Sequence, residues 1–297
     1  MNDRSRSRRR HTPEQRQQRQ RVDQTVVTEK LQKVLADLGT GSRREMERWI
    51  EAGRVEVNGE PATLGSRVAE DDRIRVDGKS LRRRTANARV LLMNKAEGVI
   101  CTRADPERRP TCFDSLPKLS GGRWIGVGRL DINTSGLLLL VSDGTLANRL
   151  MHPSTGIDRE YAARVDRRLN EKQLAALQQG VMLDGDVASF SDIRYYDGQD
   201  RNHWYHLTLM EGRNREVRRL FASQGVQVSR LKRVRYGPVV LPSTLRRGRW
   251  MEVGRNDVAS LYRLLRLKVP VLPPRSRRNR NEKSSSVLIP YPELPAG

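Results

Sequence analysis

One carboxylate stands out by its surroundings. In GVGRLDINTSGLLLLVSDG (126–144), Asp131 follows an Arg-Leu pair and precedes a polar loop, Asn133-Thr134-Ser135-Gly136, behind which runs a wholly apolar stretch. A carboxylate at the mouth of a buried strand loses part of its water, and its charge must be compensated. That is the setting of a functional acid. It is also the setting of an aspartate that closes a turn with its own side chain, and by spacing alone the turn is the simpler account. Cations that could serve such an acid lie in NREVRRLF (214–221), where Arg215, Arg218 and Arg219 stand at i, i+3 and i+4. That spacing puts them on one helical face, with Val217, Leu220 and Phe221 on a buried one and Asn214 able to cap the start. The chain holds only two cysteines, Cys101 and Cys112, and four histidines, at spacings that make no metal-ligand pattern. His152, Cys101 and Cys112 read as structural, and metal or redox chemistry is not expected.

The elements around these residues fall into two groups. From Val90 onward, VLLM (90–93), GLLLLV (136–141), HLTLM (206–210) and residues 237–241 read as short buried strands. LNEKQLAALQQG (169–180) reads as an amphipathic helix that stops at Gly180. Strands irregularly interspersed with helices predict an α+β fold with a mixed, mainly antiparallel sheet. No βαβ regularity and no glycine-rich phosphate loop is present, which argues against a nucleotide-binding fold. Upstream, Leu31, Val34, Leu35 and Leu38 mark one helix, with Thr28 as its expected N-cap and Gly39 as its stop. Ser42 with Glu45 is a capping-box pattern that opens a second helix, its apolar face formed by Met46, Trp49 and Ile50. RVEVNGEPA (54–62) predicts a strand and an Asn-Gly turn, and RIRVDG (73–78) alternates again.

Composition narrows the partner. Lys and Arg total 57 against 35 acidic residues, a net charge of +22 over 297 residues. Such an excess attracts polyanions by counterion release, with no need for sequence readout. The basic residues do not lie on a helix with a wide apolar face, which disfavours a membrane surface. No apolar run is long enough to span a bilayer, and MNDRSRSRRR is not the start of a signal peptide, so a cytoplasmic protein without structural disulfides is expected. The boundaries predicted are a disordered basic arm over 1–27, a small module over 28–78, a basic linker over 79–88, a main domain over 89–268 and a disordered tail over 269–297.

Two resemblances give these patterns a meaning. LQKVLADLGTGSRREMERWIEAGRVEVNGE resembles the alpha-L motif, the RNA-binding domain first known from ribosomal protein S-four. That resemblance implies that Lys33, Arg43, Arg44 and Arg48 touch structured RNA. GRLDINTSGLLLL resembles the signature of the ribosomal-RNA pseudouridine synthases that carry such a domain. LLMNKAEGVICT (91–102), LMHPSTGIDREYAARV (150–165) and EGRNREVRRLFASQGVQVSRLKRVRYGPVVL (211–241) resemble further blocks of that family, in its order. The chain departs from the family at Ala96, where proline is usual, and at Val141-Ser142, where Thr-Asn is more common.

The resemblance implies roles. A uridine loses its glycosidic bond, its base turns over, and the base rejoins the sugar through carbon-5. Nothing is oxidised or transferred, so no cofactor is needed. Asp131 then serves the electron-poor anomeric carbon, by stabilising it, attacking it or removing the neighbouring proton, as carboxylates do in glycoside cleavage. Tyr161 stacks on the uracil, and its hydroxyl is a candidate for removing the carbon-5 proton. Arg218 forms a buried bidentate pair with Asp131. Arg129 fills the gap left by the extruded base, while Arg215 and Arg219 contact phosphate. Length, basic tails and the closing block are most similar to the branch acting on bacterial large-subunit rRNA, which makes ribosomal RNA or its assembly intermediate the implied partner. The small-subunit branch shares every catalytic block. A non-catalytic RNA-binding assembly factor is the remaining alternative, and intact Asp131, Tyr161 and Arg218 argue against it.

Overall fold

A computed structural model of the chain describes residues 28–81, 87–119, 121–272 and 286–294. It divides into two compact units that part after Arg84. The basic arm expected over 1–27 lies outside the described residues.

The first unit starts with β1 (Glu29–Lys30), α1 (Leu31–Asp37) and α2 (Arg43–Glu51). β2 (Val55–Val57), β3 (Glu60–Pro61), β4 (Arg67–Val68), β5 (Ile74–Val76) and β6 (Lys79–Leu81) follow. The reciprocal capping box forms: the Glu45 amide donates to Ser42 Oγ at 3.1 Å and the Ser42 amide to Glu45 Oε2 at 3.3 Å. Met46 and Ile50 of α2 pack with Leu31, Val34 and Leu35 of α1 in one apolar cluster. Asn58 and Gly59 both take positive φ, as a two-residue hairpin turn requires, and β2 pairs with β3 across them. Two expectations need correcting. Thr28 does not cap α1, whose N-cap is Lys30; the Thr28 hydroxyl instead accepts from Arg67 Nε at 2.9 Å. The linker begins later than residue 79, because Lys79–Leu81 is a strand paired with β5. The Asp77-Gly78 turn, with both φ positive, folds it back.

The second unit comprises β7 (Val90–Lys95), β8 (Ile125–Gly126), β9 (Ser135–Val141), α3 (Gly144–Met151), β10 (Arg159–Val165), α4 (Glu171–Gln179), β11 (Val181–Leu183) and β12 (Asp186–Ala188). It continues through β13 (Asp192–Gln199), β14 (Asn202–Leu209), α5 (Glu216–Ser223), β15 (Val228–Tyr236), β16 (Val239–Val240), β17 (Trp250–Glu252) and α6 (Arg255–Leu264). Seven strands run in the order β13-β14-β10-β15-β9-β7-β17, with β16 on β15 and β8 on β9. Every pairing is antiparallel except β15 with β9, which is parallel and in register at Lys232–Ser135 and Arg233–Gly136. The mixed, mainly antiparallel α+β fold read from the sequence is the one observed.

The run of seven buried residues in β9 follows from its place near the centre of the sheet. Leu137, Leu139 and Val141 face one core with α3 and α6; Leu138 and Leu140 face the other with α4 and α5. A strand buried on both faces has no polar alternation. Asp143 caps α3 by accepting from the Thr145 amide at 2.7 Å, and Tyr262 donates to its other oxygen.

The tail expected over 269–297 is only partly a tail. Leu272, Val287 and Leu294 are buried in the α3–α6 core. Leu288 forms a β-bridge with Val239, and Tyr291 Oη donates to Asp158 at 2.7 Å. Apolar residues spaced among prolines make a strap here; composition averaged over the window hides them.

At Gly136 a side chain has no room. Its φ is +101°, and a Cβ placed there would stand 2.2 Å from the backbone oxygen of Arg233. Gly136→Ala is expected to cost about 3 kcal/mol or more, from backbone strain together with forced separation of β9 and β15. A urea midpoint unchanged from that of the unmodified chain would show that the seam tolerates a side chain.

Candidate active site

The site is built where that parallel seam emerges. Residues 131–134 form a turn immediately before β9, closed by the Thr134 amide donating to the Asp131 carbonyl at 3.0 Å. The turn is thus made by backbone, and the Asp131 carboxylate faces a cleft of about 440 Å³. Arg129, Asp131, Thr134, Tyr161, Arg215 and Arg233 all line that cleft. The aspartate predicted from the signature and the tyrosine predicted from the REYAARV block are therefore brought to one cavity. Tyr161 is 8% exposed, and Leu231 and Leu209 share its surroundings. Arg129 is exposed and lines the same cleft.

The loop is pinned from two sides. The Gly98 amide donates to the Ile132 carbonyl at 2.8 Å, and Arg218 Nη2 donates to the Asn133 carbonyl at 2.9 Å. Behind Gly98, Lys95 is wholly buried and donates to the carbonyls of Ala96 and Val99 at 2.8 and 2.7 Å. Burial pushes the Lys95 ammonium below the usual lysine range, and the neighbouring Cys101, Cys112, Asp131 and Glu97 oppose that shift. Sequence reasoning passed over Lys95. Its signal was a lysine closing a strand that opens on four apolar residues, VLLMNK.

The arginines divide differently from expectation. Arg218 makes no ion pair with Asp131. Its Nη1 donates to the Val228 carbonyl at 2.6 Å and its Nη2 to Asn133, so it ties the Asp131 loop to the start of β15. Burial lowers its pKa from the usual arginine value; Arg215 adds to that, while Asp131 and Glu97 counter it. The cation nearest Asp131 is Arg215, whose Nη1 stands 3.9 Å from Oδ2. The reason is local: α5 begins at Glu216, not after an Asn214 cap, and Arg215 is the N-cap residue in left-handed conformation at φ 48°. That conformation takes Arg215 off the helical face it was assigned to. A non-glycine residue there is uncommon and strained, and such strain gathers at functional sites. Arg219 is held by Asp184 at 2.6 Å, so a phosphate would have to compete for it.

Glu216, also on the cleft and buried, accepts from the Arg213 amide at 2.9 Å. Burial raises its carboxyl pKa. Nothing in the sequence set it apart from other helical acids. His152 bonds Ser154 within its own turn, as a structural residue would.

In the first unit, Arg43, Arg44 and Arg48 are exposed on α2, while Lys33 is half-buried and paired with Glu29. Lys33 and Arg43 line one groove with Arg67; Arg44 and Arg48 do not. Among the described residues no cluster of His, Cys, Asp or Glu could hold a metal, and no helix is long and apolar enough to cross a membrane.

Comparison with known proteins gives the family. The RNA pseudouridylate synthase family model matches residues 89–223, and the S4 domain model matches residues 29–74. A protein of Pseudomonas aeruginosa named "Ribosomal large subunit pseudouridine synthase B" is 58% identical over 251 residues, covering 83% of this chain and 65% of that protein. Its namesake in Salmonella typhimurium is 52% identical over 267 residues, covering 86% of this chain and 92% of the relative. A solved structure described as a crystal structure of pseudouridylate synthase superposes with a TM-score of 0.55 at 27% identity, over 78% of this chain and 99% of its own. The chain belongs to the RNA pseudouridylate synthase family, and is a pseudouridine synthase that carries an S4 domain.

Proposed function

We propose that this chain converts one uridine of large-subunit ribosomal RNA to pseudouridine, in the cytoplasm, with Asp131 as the carboxylate that serves the anomeric carbon. The observation that carries the reading is the cleft that gathers Asp131, Tyr161 and Arg215, with Arg215 at 3.9 Å from the Asp131 carboxylate. As the glycosidic bond breaks, the anomeric carbon becomes electron-poor, and an anion held beside it lowers the barrier. Tyr161 offers a ring for the detached base to stack on, which keeps it in the cleft while it turns over. Arg218 acts through the Asn133 carbonyl, setting where the Asp131 turn sits. The large-subunit target is supported by the names of relatives that match most of this chain.

Asp131→Asn is expected to lower turnover by at least about a hundredfold while leaving RNA affinity nearly unchanged. Tritium release from carbon-5-labelled uridine, beside a binding titration, measures both. Activity within tenfold of the unmodified enzyme removes Asp131 from the mechanism. The target is read by mapping pseudouridines in rRNA from cells with and without the gene. Loss of a single large-subunit site is expected, and loss of a small-subunit site overturns the assignment.

The exposed arginines of α2 should capture RNA and leave the chemical step to the second unit. Removing residues 1–27 is expected to flatten the dependence of affinity on salt, since each phosphate contact contributes to that slope. Removing residues 1–81 should also reduce discrimination among RNAs, with the single-turnover rate at saturating RNA nearly kept. A longer truncation that keeps its affinity but loses its saturated rate contradicts this division of labour.

Excess EDTA should leave activity unchanged on a short RNA that folds without magnesium, because the proposed chemistry asks for no Lewis acid. Inhibition on that substrate would show that a bound metal takes part.

A further inference from the structure

Arg233 is a buried cation with no carboxylate partner among the described residues. It is 3% exposed, yet it is among the residues that line the cleft with Asp131 and Tyr161. Its Nε donates to the Leu137 carbonyl at 2.7 Å, and its buried Nη2 meets no acceptor. Among the described residues no carboxylate lies within ion-pair distance of it. Arg235, two residues on, shows the contrast: Asp158 and Glu160 both engage it, at 2.7 and 2.9 Å. The Arg233 guanidinium also lies over the Tyr236 ring, 5.2 Å from the centroid, yet a buried cation without an anionic partner still costs stability, a cost that an electron-rich ligand would offset. Thr134, 2% exposed and also on the cleft, has an Oγ1 with no partner either. Both residues line the cleft, and the Arg233 guanidinium carries donors that no protein carboxylate takes, which suits a ligand with hydrogen-bonding edges.

Strand register indicates which part of that ligand. Arg233 on β15 is the Cα partner of Tyr161 on β10. Directly paired residues project to the same face, with Cβ atoms roughly 5 Å apart. A base stacked on the Tyr161 ring therefore presents its edge to the Arg233 guanidinium.

We propose that Arg233 is a further catalytic residue of this site, donating to a carbonyl oxygen of the uracil and stabilising the negative charge that the base carries while detached. This rests on the proposed reaction. When the bond from the anomeric carbon to N1 breaks, its electron pair stays with uracil, which becomes an anion delocalised over its two carbonyl oxygens. The sugar is left electron-poor, and Asp131 serves it. Once the base has turned, carbon-5 supplies the pair for the new bond; its proton departs and N1 regains one, so no oxidant or co-reactant is needed. Asp131 and Arg233 thus hold the two oppositely charged halves of one broken bond. A fixed cation in a dry site stabilises such charge without the reorganisation that water would need.

The test compares R233Q and R233K in the full chain, each with a single-turnover rate at saturating RNA, a dissociation constant and a thermal melt. R233Q is expected to lose about a hundredfold or more in rate with affinity within about threefold. R233K, which keeps the charge, should recover at least about tenfold of that loss. If R233Q melts early, R233A assayed with and without free guanidinium replaces it, and the added cation should restore part of the rate. A saturated rate within threefold of the unmodified enzyme for R233Q overturns the inference. So does a loss confined to affinity, which would make Arg233 a phosphate contact, or an R233K or guanidinium-treated enzyme no faster than its neutral counterpart. An unmodified enzyme that makes no pseudouridine in its RNA would instead fail the functional reading itself.

Discussion

The closeness of two backbones at Gly136 and Arg233 is the constraint on which the active cleft depends. The sheet has two antiparallel halves, β13-β14-β10-β15 and β9-β7-β17, joined by one parallel pairing with two registered partners. Gly136 permits the contact, because any Cβ there would overlap the Arg233 backbone. Asp131 lies five residues before it on one strand approach, and Tyr161 is the partner of Arg233 on the far side. The carboxylate from one half and the aromatic ring from the other therefore meet only if the seam closes. Rigid strands position such groups better than loops do, and here the loop that bears Asp131 is tied to strands on both flanks.

The electrostatics divide along the same lines. Asp131 is about one-third exposed by its side chain and Arg215 about half, so the 3.9 Å contact is softened by solvent and is not the main clamp. Arg218 is better buried and spends its donors on carbonyls of Asn133 and Val228. A guanidinium bonded to backbone fixes geometry without neutralising the carboxylate, which stays available to substrate. Lys95 does the same for the turn behind the loop. The site thus separates the cations that hold the scaffold from those that can answer charge developing in the substrate.

Much of this was legible in the sequence. The apolar run after Asp131 announced a strand buried on both faces, the Ser42–Glu45 pair announced a helix start, and the ordered blocks announced the family. What escaped had physical causes. Arg215 was assigned to a helical face because Asn214 looked like the better cap, whereas the helix starts one residue past a left-handed arginine. Arg218 was assigned a carboxylate partner, yet backbone carbonyls compete well for a guanidinium and leave no trace in residue types. Arg233 sat unnoticed in RLKRVRY, where four basic residues lie close together and residue types alone do not single one out. The β10–β15 register shifts between Glu160 and Tyr161, so regular alternation does not describe which of those arginines turns inward. The strap around Val287 and Leu294 was missed because a few apolar anchors among prolines do not raise the mean hydropathy of a tail.

The large positive charge and the buried cations answer to different physics. Exposed arginines such as Arg43, Arg44 and Arg48 act through solvent, where their field decays over roughly 10 Å at moderate salt. In the proposed reading they raise the local concentration of RNA and lose that effect as salt rises. Arg233 and Lys95 are buried and Arg218 is half-buried, where mobile ions hardly reach, so salt screens their fields far less. Raising salt should therefore weaken encounter long before it alters the bond-breaking step. One strongly basic chain can in this way be indiscriminate in attracting RNA and exacting about the single bond it opens.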